Sequence, residues 1–181
     1  MSKKIDEIVN MPQKIAAIRF LVLDVDGVMT DGSISYTADG GEVKTFNVKD
    51  GAGLKYWRRA GFAAGIVTGR SSPMVERRAA ELGIQFVEMG AKSKLPAFER
   101  MLEAAGVLPG ETAVIGDDLP DLPLIARAGV GVAVADAVEE VREAADLTTD
   151  KKGGHGAVRE LVELILKTQG RWQTLLERYR V

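Results

Sequence analysis

Short apolar runs alternate along the chain with longer stretches of helical spacing. Phe20-Leu21-Val22-Leu23, Phe62-Ala63-Ala64-Gly65-Ile66-Val67 and Thr112-Ala113-Val114-Ile115 have strand length, and Val130-Gly131-Val132-Ala133-Val134 and Asp146-Leu147-Thr148-Thr149 add two more. Between them Val75, Ala79 and Leu82, and later Phe98, Met101, Leu102 and Ala105, recur at the period of a helix buried on one side. Strands that alternate with helices form a parallel sheet covered on both faces. The pattern therefore predicts an α/β fold, a single doubly wound parallel-sheet domain over residues 1–181. No linker, low-complexity stretch or solenoid-period repeat divides it.

Two segments depart from this rhythm. Residues 32–47 read as a β-hairpin: Ser33-Ile34-Ser35-Tyr36 alternates polar and apolar, Asp39-Gly40-Gly41 turns, and Glu42-Val43-Lys44-Thr45-Phe46 returns. A lone hairpin is marginal in water and needs a partner surface. The tail, residues 168–181, carries Trp172, Leu175, Leu176 and Tyr179 as a helical stripe among Arg171, Glu177, Arg178 and Arg180.

The ends of the apolar runs carry the candidate chemistry. Asp24 and Asp26 follow the first run and, in extended chain, share a face, with Val25 turned away. One carboxylate can attack phosphorus while its neighbour handles the proton, which makes Asp24 the candidate nucleophile and Asp26 the candidate acid and base. A plain strand exit has the same letters, so the weight comes from the ends of the later runs. Thr68-Gly69-Arg70 ends the next run, where a hydroxyl and adjacent amides can donate to a phosphoryl oxygen. Ser71-Ser72-Pro73 then opens a helix, although an ordinary helix cap would also read so. Lys94 stands just before a helix that Pro96 can start and Gly106 can end, placed to neutralise an aspartate and a phosphoryl group; Lys92 reads as solvated surface. The run at Thr112 delivers Gly116-Asp117-Asp118-Leu119-Pro120-Asp121, three carboxylates that are unfavourable together without a cation. Oxygen ligands alone favour a hard ion, and magnesium fits.

Composition narrows the chemistry further. The chain has no cysteine and one histidine, His155, which excludes a thiolate or multi-histidine zinc site and a cysteine-based phosphatase, and argues against a Ser-His-Asp triad. His155 lies among glycines in a polar loop and reads as a surface residue. A net charge of -2 argues against a nucleic-acid partner and leaves a small molecule as the expected ligand. No apolar run reaches membrane-spanning length, and Asp6 and Glu7 stand where a signal peptide would need an apolar core, so a cytoplasmic protein is expected.

The order Asp24-x-Asp26, Thr68, Lys94, Gly116-Asp117-Asp118-x-x-Asp121 resembles the four motifs of the haloacid dehalogenase superfamily of phosphotransferases. The match extends through Asp24-Val25-Asp26-Gly27-Val28-Met29-Thr30-Asp31-Gly32, Phe46-Asn47-Val48-Lys49-Asp50-Gly51, Val67-Thr68-Gly69-Arg70 and Gly153-Gly154-His155-Gly156-Ala157-Val158-Arg159-Glu160. Over residues 5–175 the chain resembles the 3-deoxy-D-manno-octulosonate 8-phosphate phosphatases. The resemblance implies a Rossmann-like domain and an aspartyl-phosphate mechanism that releases the free sugar acid for lipopolysaccharide precursor synthesis. It implies magnesium held by Asp24, the Asp26 main-chain carbonyl and Asp117, with Asp118 and Asp121 behind them. It also implies a homotetramer in which hairpins meet and neighbouring chains close the site, and the tail can reach an adjacent subunit. The stretches between Asp26, Thr68 and Lys94 are too short for the cap domain that many of these phosphatases carry. Asn47, Lys49, Gly69, Arg70 and Arg159 are the candidate substrate contacts, a guanidinium suiting a carboxylate. The family often has arginine where this chain has Lys49 and His155, which bears on substrate identity.

Three alternatives stand beside this reading. A nine-carbon ulosonate 9-phosphate would need the same chemistry. A receiver-type phosphoacceptor domain also combines aspartates, a threonine and a lysine on a doubly wound sheet, but it places its acidic pair first and its acceptor in the middle, the reverse of the order here. A noncatalytic oligomerisation module would not need the full set of catalytic residues.

Overall fold

A computed structural model describes residues 2–180, with side chains from Asn10 onward; Met1 and Val181, the ends of the expected domain, lie outside the described residues. The chain runs α1 (Ser2–Ala17), β1 (Phe20–Leu23), β2 (Ser35–Tyr36), β3 (Glu42–Val43), α2 (Val48–Arg59), β4 (Ala63–Val67), α3 (Pro73–Leu82), β5 (Phe86–Glu88), α4 (Lys94–Ala105), β6 (Thr112–Gly116), α5 (Leu122–Arg127), β7 (Val130–Ala133), α6 (Glu139–Ala144), β8 (Leu147–Thr148), α7 (Ala157–Thr168) and α8 (Trp172–Glu177). Short 3₁₀ turns at Pro109–Glu111 and Leu119–Asp121 flank β6.

Six strands form one parallel sheet in the order β5-β4-β1-β6-β7-β8, flanked by helices as the alternation of the sequence predicts. Every residue of β1, β6 and β7 is buried, the pattern of strands covered on both faces. From β1 the chain winds outward through β4 and β5, then returns to β6 on the other side of β1 and winds away through β7 and β8. The direction of winding reverses between β1 and β6, and open sheets bind ligands outside the carboxyl ends of their strands at such a reversal. Leu23 is paired with Ile115, so Asp24 and Asp117 leave the sheet side by side.

Local chemistry sets the helix ends. Pro73 occupies the first turn of α3 after Ser72, and Gly83 closes it in the left-handed region at φ 70°. Helix α4 begins at Lys94, two residues before the proline expected to start it. Pro96 is tolerated there because first-turn N–H groups have no intrahelical acceptor. Lys94 is thus part of the helix rather than of the loop before it. Helix α1 and strand β5 carried no clear sequence signal. β5 is a three-residue strand at the sheet edge, only partly buried.

The hairpin forms with two residues on each side, Ser35 opposite Val43 and Tyr36 opposite Glu42. Ile34, Tyr36, Val43 and, just beyond it, Val48 stay exposed. The tail stripe packs on its own domain: Tyr56 meets the rings of Trp172 and Tyr179 edge-on at 5.8 and 6.2 Å, and Arg159 lies over Trp172.

Candidate active site

The turn after β1 is built around one carbonyl. Val25 O accepts the N–H groups of Val28, Met29 and Thr30, and the chain folds back within four residues. Gly27 makes this possible at φ 97°, a region that L side chains rarely adopt. Behind the turn, Gly154 N–H donates to Val28 O at 2.9 Å, and a Cβ on Gly153 would meet Gly27 O at 1.7 Å. The glycine-rich 153–156 loop is therefore the wall against which the turn after Asp24 rests.

That wall has its own support. Asp50, buried on α2, accepts N–H groups from Gly156 and Arg159 at the start of α7 at 3.2 and 2.8 Å. Burial raises its carboxyl above the usual range, while these backbone donors pull it back. Asn47 caps α2 by accepting from Lys49 N–H and donates its amide to Gly154 O at 3.0 Å. Its side chain is engaged in joining the hairpin exit to the loop.

Asp24, Asp117 and Asp121 each bring a carboxylate oxygen within 4.8 Å of the others. Lys94 enters from α4, its Nζ 2.8 Å from Asp24 Oδ1 and 2.7 Å from Asp121 Oδ1. The second Asp121 oxygen accepts from the N–H groups of Asp117 and Asp118, so Asp121 braces the loop that carries Asp117. Asp118 is exposed and accepts from Leu119 N–H, capping the 3₁₀ turn. Thr68 is buried, with its hydroxyl 3.5 Å from the Arg70 N–H.

These groups line one open cavity of about 460 Å³, formed by Asp24, Asp26, Thr68, Gly69, Arg70, Lys94, Asp117, Asp118 and Asp121 with Ala91, Lys92 and Pro120. Lys49, His155 and Arg159 lie elsewhere. They line a second cavity of about 420 Å³, where Arg159 pairs with Glu163. Of the sequence candidates, one chain gathers Asp24, Asp26, Thr68, Gly69, Arg70, Lys94 and the acidic loop, and leaves Asn47, Lys49 and Arg159 apart.

The electrostatics ask for a cation. Burial, with the charges of Asp24 and Asp121 beside it, pushes Asp117 up to about 8. Burial and Asp121 push Asp24 up to about 6, against the pull of Lys94. Burial alone would lower Lys94, but Asp24 and Asp121 outweigh it and hold its ammonium above the ordinary value. One lysine therefore does not neutralise three carboxylates. Asp117 Oδ1 is buried and accepts no hydrogen bond, an orphaned oxygen on a residue of the cluster. An all-oxygen set with such an atom fits a hard divalent ion of the magnesium class.

The hairpin contributes residues that the sequence did not reveal. Lys44 Nζ hydrogen-bonds Asp26 Oδ1, and Glu42 bridges Lys44 and Arg70 at 3.8 and 2.6 Å. Arg70 Nε stands 3.8 Å from Asp26 Oδ2. In an alternating strand, Glu42 and Lys44 read as solvent-facing charge, and only the packing of the hairpin against Asp26 and Arg70 brings them inward.

Comparisons with known proteins agree with this geometry. The pattern of the haloacid dehalogenase-like hydrolases matches residues 89–161, which include Lys94 and the acidic loop. The chain is 43% identical over 161 residues to the 3-deoxy-D-manno-octulosonate 8-phosphate phosphatase of Haemophilus influenzae, covering 89% of each chain. It superposes with a TM-score of 0.91 and 43% identity on the crystal structure of the Moraxella catarrhalis phosphatase of that name in complex with magnesium, phosphate and KDO, covering 93% of this chain and 97% of that one. A cobalt-bound Haemophilus influenzae deoxy-D-mannose-octulosonate 8-phosphate phosphatase gives a TM-score of 0.85 at 43% identity, covering 87% and 92%. The chain belongs to the 3-deoxy-D-manno-octulosonate 8-phosphate phosphatase family of haloacid dehalogenase-like hydrolases.

Proposed function

We propose that this chain is a magnesium-dependent phosphomonoesterase that converts 3-deoxy-D-manno-octulosonate 8-phosphate to the free sugar acid and phosphate, a step of lipopolysaccharide precursor synthesis. The observation that carries the proposal is the meeting of Asp24 with Asp117 and Lys94 at the winding reversal of the sheet, in a chain 43% identical to a phosphatase of that name.

In the first step an Asp24 oxygen attacks phosphorus in line as the bond to the sugar oxygen breaks, and Asp26 gives its proton to that oxygen. In the second, water gives a proton to Asp26 and attacks the aspartyl phosphate, releasing inorganic phosphate and restoring Asp24. Thr68 and the N–H groups of Gly69 and Arg70 donate to the phosphoryl oxygens, and Lys94 offsets the charge of an anion attacking an anion. Asp24, the Asp26 carbonyl and Asp117 would hold magnesium, with Asp118 and Asp121 supporting them; the ion supplies charge neutralisation and polarises the phosphoryl group.

We propose further that residues 1–181 form one domain without a cap, that it works in the cytoplasm, and that it assembles as a homotetramer. Among the described residues no helix is long and apolar enough to cross a membrane. The exposed Ile34, Tyr36, Val43 and Val48 support assembly through the hairpin. Assembly also offers a role for Lys49, Arg159 and His155, which lie outside the Asp24 cavity of their own chain and would contact substrate only through neighbouring subunits.

The test is phosphate release from a set of sugar phosphates, with magnesium and with chelator, using Asp24→Asn as the blank. Turnover of the eight-carbon substrate that needs both magnesium and Asp24 is expected. A strong preference for a nine-carbon ulosonate 9-phosphate would reassign the substrate, and activity retained by Asp24→Asn would overturn the mechanism.

A further inference from the structure

The hairpin is the most exposed element near the site, yet the Lys44 side chain at its return strand is only 2% exposed. Dehydrating an ammonium is costly unless opposite charge and hydrogen bonds meet it. Here Asp26 Oδ1 accepts its hydrogen bond and Glu42 stands 3.8 Å away. Two neighbouring carboxylates of the site, Asp121 and Asp24, are held by groups outside the hairpin. Asp121 is fixed by backbone N–H groups and by Lys94, and Asp24 faces Lys94. Asp26 is held by the hairpin, through a side chain carried just past a two-residue strand.

We infer that Lys44 is the positioning residue for the Asp26 carboxyl group, so that the hairpin is a working part of proton transfer as well as an assembly surface. The inference rests on the proposed phosphatase function. Lys44 fixes Oδ1 toward the hairpin and leaves Oδ2 facing Arg70 and the cavity, where the ester oxygen must arrive. Arg70, tied to the same hairpin through Glu42, completes the frame. Any displacement of the hairpin moves the aim of Asp26 while leaving Asp24 and its neighbours in place.

This role has a chemical signature. In the first step the phosphorus–oxygen bond to the sugar breaks with transfer of a proton from Asp26 to the departing oxygen. A p-nitrophenolate leaving group departs without that proton. Loss of Asp26 positioning must therefore slow the sugar ester and spare the aryl ester, whereas a general structural defect slows both.

The experiment measures alcohol release in the first turnover, with magnesium-loaded full-length enzyme in excess over 3-deoxy-D-manno-octulosonate 8-phosphate or p-nitrophenyl phosphate. Lys44→Met is expected to be about tenfold or more slower on the sugar ester and within about threefold of the native rate on the aryl ester, with Asp26→Asn showing the same selectivity more strongly. Lys44→Arg should recover most of the lost rate. Rapid release from the aryl ester itself certifies a folded, loaded variant. If Lys44→Met does not fold, Lys44→Arg carries the test, through a smaller loss of the same selectivity. Parallel losses on both esters, or none on either, would overturn the inference. Native enzyme that fails on the sugar ester would instead sink the phosphatase function, a result separable from the behaviour of Lys44.

Discussion

Gly27 makes room for Asp117: a Cβ at Gly27 would lie 2.0 Å from Asp117 Oδ2. Two loops at the ends of neighbouring strands close over the cavity because one of them has no side chain at that point. Gly27→Ala, strained further by φ 97°, is expected to push Asp117 away, destabilise the protein by about 1–3 kcal/mol, and remove the magnesium-dependent rise in melting temperature. A variant that keeps that rise would show that Asp117 tolerates the displacement.

Lys94 joins two carboxylates at once. Lys94→Met should lower kcat by about 10²–10³-fold, as loss of a positioned cation does for developing charge. Removing one partner of a buried charged cluster also leaves the others uncompensated, so the drop in melting temperature should be larger with chelator than with magnesium. Calorimetry in both conditions reads this; equal drops would mean that magnesium and Lys94 do not share the task.

The metal-free protein should lose stability as pH rises. The Asp117 carboxyl, pushed up to about 8 from 3.8, keeps its proton in the native state across a range in which the unfolded chain has lost it. Asp24, pushed up to about 6, acts in the same direction over a narrower range. The native state then binds more protons than the unfolded state, and the unfolding free energy falls with pH from about 4 to about 8. Urea melts with chelator at pH 5, 6, 7 and 8 should show this slope. Magnesium or Asp117→Asn should flatten it, and a rising slope would contradict the crowding of like charge around Asp117.

The exposed apolar side chains of the hairpin make assembly testable. Ile34→Glu and Val43→Glu place charge where Ile34 and Val43 face solvent in the single chain, so folding of the chain itself should be little affected. Light scattering should report smaller particles, and turnover should fall if neighbouring subunits complete the site. A native enzyme that is monomeric and fully active would end the tetramer proposal.

Much of the fold and of the membership of the Asp24 cavity is legible in the chain because both depend on local rules. Apolar runs of strand length, helical spacing between them and glycine or aspartate at each strand end follow from burial and turn geometry, and they place Asp24, Thr68, Lys94 and Asp117 at strand or helix ends without reference to any contact. The weak places are those without such a signal. β5 is a short edge strand without a strong apolar run, and α4 starts at Lys94 because first-turn proline is permissive, which spacing alone does not reveal.

By itself the sequence determined which chemical groups stand at the ends of which strands, since strand alternation and turn propensity act over a few residues. Only the tertiary structure decided which of those groups meet. The parallel pairing of β1 with β6 brings Asp24 to Asp117 across more than ninety residues of chain, and the fold of the hairpin turns Lys44 from a solvent-facing charge into the partner of Asp26. The same packing separates Lys49 and Arg159 from the cavity that their sequence motifs suggested. Distances between residues far apart in the chain are set by how buried surfaces fit together, and that fit is not written in any local pattern.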